Sequence, residues 1–261
     1  MSLITSVKNP LVKQIRSLHT PKGRRESGLF LLEGTHLIQE AIATHYPLDL
    51  VCATPDWPQH YPQLWEQFSQ TQLVSESVLR AMSTTMNPDG VVATAKIRPQ
   101  TAPMPPHGNF LGLVLETIQD PGNLGTIIRT AVATGVTHLW LSQDCVDLYH
   151  PKLLRASAGQ WFQANPVTCP DLVDWVKNLQ NLGAKVIATL PHASRLHWHT
   201  DLRLPCILLV GNEGAGLSEN LVNLADHQVR IPLWGGAESL NVAIATAVIL
   251  YEVQRQQAFQ T

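Results

Sequence analysis

The sequence predicts an α/β protein in two parts, and three observations carry that reading. Two apolar runs with strand character, Leu111–Glu116 and Pro205–Val210, each end in a turn that opens a helix. Ahead of them, Pro99–Gly108 is proline-rich and aperiodic, the composition of a semi-extended linker; it divides residues 1–98 from residues 109–261. In the shorter N-terminal part, segments of helical period alternate with strand-like ones, so that part is expected to be mixed α/β with its own core.

Taken in order, Asn9–Leu18 reads as a helix, Leu29–Glu33 as a strand, Thr35–Thr44 as a helix and Leu48–Ala53 as a strand. Short elements follow, and the strand Gly90–Ile97 closes the part. After the linker, Leu111–Glu116 gives way to the turn Asp120-Pro121-Gly122 and then to apolar residues at helical spacing that stop at Gly135. Asn123 falls near the start of that helix. Arg129 lies in its body among Ile, Thr and Ala, where an arginine either snorkels to solvent or is held by a carboxylate or phosphate.

The run Pro205–Val210 ends in Gly211-Asn212-Glu213-Gly214-Ala215-Gly216-Leu217. The glycine spacing is not that of a dinucleotide-binding turn, and Glu213 inside the loop would repel a pyrophosphate; a neutral or positive ligand suits it better. Finally, Ile231-Pro232-Leu233-Trp234-Gly235-Gly236-Ala237-Glu238 turns tightly and feeds Ser239 and Asn241 into a helix spanning Ala243–Glu252. That helix is apolar on nearly every face, which predicts a buried first turn where free N–H groups and short polar side chains hold a polar ligand.

Composition sets bounds. At 261 residues and 44% hydrophobic, the chain can bury two cores. No run reaches the roughly 20 apolar residues of a bilayer span, and Met1–Val7 lacks a signal-peptide pattern, so no membrane and a cytoplasmic location are expected. Cys52, Cys145, Cys169 and Cys206 are scattered, which predicts reduced thiols and no metal; His197-Trp198-His199 reads as ordinary surface. The net charge of −2 disfavours a simple nucleic-acid binder. Yet residues 1–25 hold Lys8, Lys13, Arg16, Lys22, Arg24 and Arg25 and no acidic residue, an asymmetry suited to tracking phosphates; the alternative is a solvated, poorly ordered N-terminus. Arg80, Lys96 and Arg98 are candidates to extend that surface.

Three motifs stand in order: N-x-G-x-x-x-R (Asn123, Gly125, Arg129), the G-N-E-G-x-G-L turn, and I-P-x-x-G-x-x-E-S-L-N-V from Ile231 to Val242. Together they resemble the signature of the TrmH/SpoU family of RNA 2'-O-ribose methyltransferases, a branch of the SPOUT superfamily. Asn212 departs from the small residue many members carry there. Lys152–Gly159 includes a piece, Arg155-Ala156-Ser157-Ala158-Gly159, similar to the family's R-A-S-x-G segment, which adds Arg155 to the expected RNA contacts. In the N-terminal part, Asn9-Pro10, Phe30–Gly34 and Asp89-Gly90-Val91 resemble the family's substrate-binding domain, a fold akin to kink-turn-binding ribosomal proteins.

The resemblance implies a parallel sheet whose C-terminal segment threads a trefoil knot, a homodimer, and S-adenosylmethionine as cofactor. It implies a cofactor pocket from backbone at Gly211, Ile231 and Leu240 with Leu190 beside it, the missing side chain at Gly211 leaving room for the ligand. Arg129 takes the central place at the ribose hydroxyl, with Asn123, Glu213, Ser239 and Asn241 around it. A guanidinium is a poor base, so Arg129 is expected to clamp a phosphate and stabilise the developing alkoxide, the base remaining open. Ribosomal RNA is favoured over transfer RNA because small tRNA-specific relatives manage without an N-terminal domain. The competing classes are a tRNA methyltransferase, a catalytically silent RNA-binding protein, against which Arg129, Glu213 and Asn241 all speak, and a nucleotide-dependent oxidoreductase or kinase, whose glycine motifs are missing.

Overall fold

Leu29–Glu33 (β1), Leu48–Ala53 (β2), Thr71–Leu73 (β3) and Val91–Lys96 (β4) form one sheet in the order β1-β4-β2-β3. Strand β4 runs antiparallel to both its neighbours, and β2 and β3 are parallel. The computed structural model describes residues 2–99, 105 and 108–258, so most of the linker Pro99–Gly108 lies outside the described residues. The helix Pro10–Ser17 starts where expected: Asn9 accepts the N–H of Leu11, and Pro10 occupies the first turn. A second helix, Pro21–Ser27, was not anticipated; Thr20 caps it at the N–H of Gly23, and Gly28 ends it at φ +66°. The basic N-terminal segment is therefore folded. Val12, Ile15 and Leu18 anchor it against Leu31, Cys52 and Val92 of the sheet.

The division into units departs from the contiguous one expected. Residues 1–99 form the first unit together with Asp147–Phe162, and residues 100–146 and 163–261 form the second. Charge and aromatic packing explain the transfer. Arg24 is 1% exposed; it donates from Nε and Nη2 to Asp147 Oδ2 at 2.9 and 2.6 Å and from Nη1 to the Leu18 carbonyl. Arg155 donates to Glu33 Oε2 at 3.0 Å and to Thr84 Oγ1 at 2.7 Å, while Glu33 also accepts the N–H groups of Thr84 and Thr85. Phe30 packs on Tyr149 and Trp161 at ring separations of 4.9 and 5.7 Å, and Tyr46 on Phe162 at 5.3 Å. Gly159, at φ +79°, leaves space for Glu40, whose Cγ would lie 2.2 Å from an added Cβ.

The second unit is built on a parallel sheet of Leu111–Leu115 (β5), His138–Leu141 (β6), Val167–Thr168 (β7), Lys185–Thr189 (β8), Arg195–Leu196 (β9), Cys206–Val210 (β10) and His227–Arg230 (β11). The order is β7-β6-β5-β10-β8-β11-β9. Strands β5 and β10 are buried along their whole length, as central parallel strands are. Close packing needs Gly112, whose added Cβ would stand 2.7 Å from the Trp140 ring. The last helix, Val242–Ala258, is longer than the sequence suggests. It buries Ala243, Thr246, Ile249, Leu250 and Val253, but Ile244, Val248 and Tyr251 remain 52%, 36% and 59% exposed. These three make one stripe at helical spacing, and Ile244 in the first turn is among them, so in a single chain the expected buried first turn is only partly buried.

Candidate active site

Leu190, Gly211, Glu213 and Ile231 directly follow parallel strands, and Asn123 opens the helix after β5, so most candidates of the second unit cluster at the carboxyl ends of the strands, the end at which open α/β sheets bind ligands. Asp120 caps the helix Pro121–Ala133 by accepting the Asn123 N–H at 2.8 Å, which fixes Asn123 in the first turn. Asn241 likewise caps the last helix: its Oδ1 accepts the N–H groups of Ala243 and Ile244. That leaves its Nδ2 to donate to Asn123 Oδ1 at 2.9 Å, and the Asn123 amide in turn donates to Glu213 Oε1 at 3.0 Å. One residue from each motif thus joins a single relay, with a carboxylate at its end.

The loop carrying Glu213 is held by Asn212. Its backbone exchanges hydrogen bonds with Gly216 at 2.9 and 3.0 Å, its Oδ1 accepts the N–H groups of Gly214 and Ala215, and its Nδ2 donates to the Thr117 carbonyl. Glu116 fastens the far side by accepting the Ser218 N–H at 2.7 Å. Asn212 and Glu116 were not expected at the site; a Gly-Asn pair at the end of a strand is the turn signal that would have found the first. Gly211 is needed for a different reason than the one expected. A Cβ there would lie 2.2 to 2.4 Å from backbone atoms of Gly216 and Leu217, so a side chain would break the loop before reaching any ligand space.

Two residues stand apart from the relay. Arg129 is exposed and makes no hydrogen bond or ion pair among the described residues. At about 100° per residue it points about a third of a turn, roughly 120°, away from Asn123. Ser239 and Asn241 are exposed, not buried as predicted, because the whole segment Leu233–Ser239 is open to solvent. Among the cofactor candidates, Leu190 follows β8, Gly211 follows β10 and Ile231 follows β11. Gly211 is buried and Leu190, Ile231 and Leu240 are half-buried. The backbone groups of Gly211, Ile231 and Leu240 take part in no turn or loop hydrogen bond among the described residues. Unused amides and carbonyls between aliphatic walls fit a small polar cofactor.

The expected RNA contacts divide. Lys8, Lys13, Arg16, Lys22 and Arg25 are exposed. Arg24 is withdrawn as an RNA contact, since its guanidinium is buried on Asp147, and Arg155 is half-buried on Glu33. His197 is also no surface residue: it is 4% exposed, and its Nδ1 lies 3.3 Å from the Arg230 carbonyl. Among the described residues no three His, Cys, Asp or Glu side chains converge as a metal site would require, and no helix is long and apolar enough to cross a membrane.

Residues 111–251 match the profile of the SpoU rRNA Methylase family. The chain belongs to that family. Residues 9–93 match the MRM3-like substrate binding domain. Among its relatives, an uncharacterized tRNA/rRNA methyltransferase of Synechocystis is 47% identical over 97% of this chain and 94% of its own. The Bacillus subtilis 23S rRNA (guanosine(2553)-2'-O)-methyltransferase RlmP is 33% identical over 97% of this chain and 100% of its own. The crystal structure of an AdoMet-bound rRNA methyltransferase from Sinorhizobium meliloti superposes with a TM-score of 0.86 at 32% identity, covering 97% of both chains. This SpoU-family chain is an RNA methyltransferase with a parallel α/β sheet.

Proposed function

We propose that the chain transfers the methyl group of S-adenosylmethionine to a ribose 2'-oxygen of 23S ribosomal RNA. The observation that carries this reading is the relay of Asn241, Asn123 and Glu213, which gathers the three sequence motifs into one polar site beside the unused backbone at Gly211, Ile231 and Leu240. The full-length similarity to a 23S rRNA 2'-O-methyltransferase, N-terminal part included, supports ribosomal over transfer RNA and with it a cytoplasmic location.

The cofactor supplies an electrophilic methyl group. The residues of this chain must hold the 2'-hydroxyl in line with it, remove a proton and offset the charge that develops on oxygen. The relay orients the Glu213 carboxylate, which carries no fixed partner cation among the described residues and so accommodates a positively charged ligand. Arg129, unpaired and exposed, is free to meet the phosphate next to the target ribose. Ser239 contributes a hydroxyl on the open loop. Lys8, Lys13, Arg16, Lys22 and Arg25 track the RNA backbone, and the N-terminal unit acts as the kink-turn-like recognition part.

A trefoil knot formed by the C-terminal segment belongs to this reading through membership of the SpoU family. The exposed stripe of Ile244, Val248 and Tyr251 supports a homodimer formed over the last helix. The test is a map of 2'-O-methyl positions in cellular RNA with and without this protein. Loss of one 23S rRNA site confirms the reading; loss of a tRNA site instead, with rRNA unchanged, replaces the substrate.

A further inference from the structure

An exposed tryptophan pair on the loops beside the candidate site is used by nothing described so far. Trp234 is 83% exposed and Trp198 37%. Their rings lie within 14° of parallel with centroids 6.2 Å apart. An indole left this open is unusual on a protein surface unless a partner covers it.

The topology brings the two together at the chemically relevant edge. Trp198 follows β9 and Trp234 follows β11, and these strands pair in parallel with Val229 opposite Arg195 and Arg230 opposite Leu196. Both loops therefore leave the sheet at its carboxyl end, the end that carries Leu190, Gly211 and Ile231. Trp234 also shares its loop with Ser239, Leu240 and Asn241. Beneath Trp198, His197 is buried and tied to the Arg230 carbonyl, and its ring stands 4.8 Å from the Trp198 ring, so that side of the pair has a fixed support. Arg195 and Arg230 open the two segments; of the acidic residues that follow them, Asp201 is already paired with Lys185 and Arg203, and Glu238 lies four residues beyond Trp234.

We infer that Trp234 and Trp198 form a stacking platform for an unpaired nucleobase of the RNA at or next to the methylated nucleotide. Every base offers a flat π face, single-stranded RNA is read by stacking on aromatic side chains, and the arginines at the start of both segments favour a polyanion over an apolar protein surface. The platform positions RNA; it performs no chemistry. The inference rests on the methyltransferase reading above.

The test uses the full chain and Trp234→Ala, Trp234→Phe and Trp198→Ala variants, with a 23S rRNA transcript as probe. Five quantities are read: oligomeric state, S-adenosylmethionine affinity, KM for RNA, kcat, and quenching of tryptophan emission by RNA. Trp234→Ala is expected to keep the oligomeric state and cofactor affinity, to raise KM for RNA about tenfold with a smaller change in kcat, and to lose most of the quenching. Trp234→Phe retains a flat ring and should restore much of the affinity, and Trp198→Ala should show a weaker form of the same loss. An unchanged KM and unchanged quenching in Trp234→Ala overturn the platform. A changed oligomeric state gives the pair to a second copy of the chain, and a weakened cofactor gives it to the cofactor pocket; either result also overturns it. If instead the parent protein methylates no RNA, the functional reading fails, while quenching still reports whether the tryptophans meet RNA.

Discussion

Asp147–Phe162 and Leu233–Asn241 are both rich in polar and aromatic side chains, and they put them to opposite use. In the first, Asp147 and Arg155 face buried or half-buried opposite charges, and Tyr149, Trp161 and Phe162 complete an aromatic cluster within the N-terminal unit. In the second, Trp234, Ser239 and Asn241 face solvent; Asn241 is tied down by a helix cap and an amide hydrogen bond, and Trp234 meets the Trp198 ring. A charge whose partner is already supplied by the fold has little left for a ligand. A polar group held in place with its outer face free is available for one.

The largest effect expected from that contrast is in truncation. A chain reduced to residues 100–261 removes Arg24, Glu33, Phe30 and Tyr46 from around Asp147–Phe162. The segment should then be the first site cut in limited proteolysis, where the full chain resists; equal resistance would show that Asp147–Phe162 folds without the N-terminal unit. Next comes Arg24→Ala, which leaves Asp147 without its cation and should lower stability by about 3 kcal/mol in urea denaturation, near the lower end for a broken buried pair because Asp147 keeps some water. Its neighbour Arg25→Ala should stay within about 0.5 kcal/mol.

On the open side the order of effects reverses. Asn241→Ala loses a helix cap worth about 1 kcal/mol, yet breaks the link to Asn123 and should reduce methyl transfer far more than it reduces stability. Arg129→Ala should slow transfer by about 10² to 10³ with cofactor binding intact, the scale of a lost oxyanion donor. A parental rate at saturating RNA would remove Arg129 from the chemistry. The smallest effect is in salt dependence. Neutralising Lys13, Lys22 and Arg25 together should flatten the slope of log affinity against log salt by about 2, at about 0.7 per contact on single strands. Adding Arg24→Gln to that set should change stability and leave the slope alone.

Much of this was legible in the sequence, for physical reasons that also mark where legibility ended. Leu29–Glu33 and Leu48–Ala53 have the bounds their apolar runs suggest, because a buried strand is read by local pattern. The relay was legible as residue types: Asn123, Glu213 and Asn241 sit next to turns and caps whose chemistry is local. The destination of a long side chain was not. Arg24 and Arg25 are adjacent and alike in sequence, but Arg24 is held in the interior by the distant Asp147 and the Leu18 carbonyl, while Arg25 stays in solvent. The need for Gly211 was visible but its cause was not, since the close approach comes from the loop folding back at Gly216.

The most direct measurement is the position of the methyl group itself. The protein would be incubated with methyl-labelled S-adenosylmethionine and 23S rRNA, and the product hydrolysed in alkali, which cannot cleave after a ribose that lacks a free 2'-hydroxyl. Label recovered in alkali-resistant dinucleotides, and lost with Asn123→Ala or Glu213→Gln, is the predicted result. Label recovered in mononucleotides would place the methyl group on a base and contradict the account.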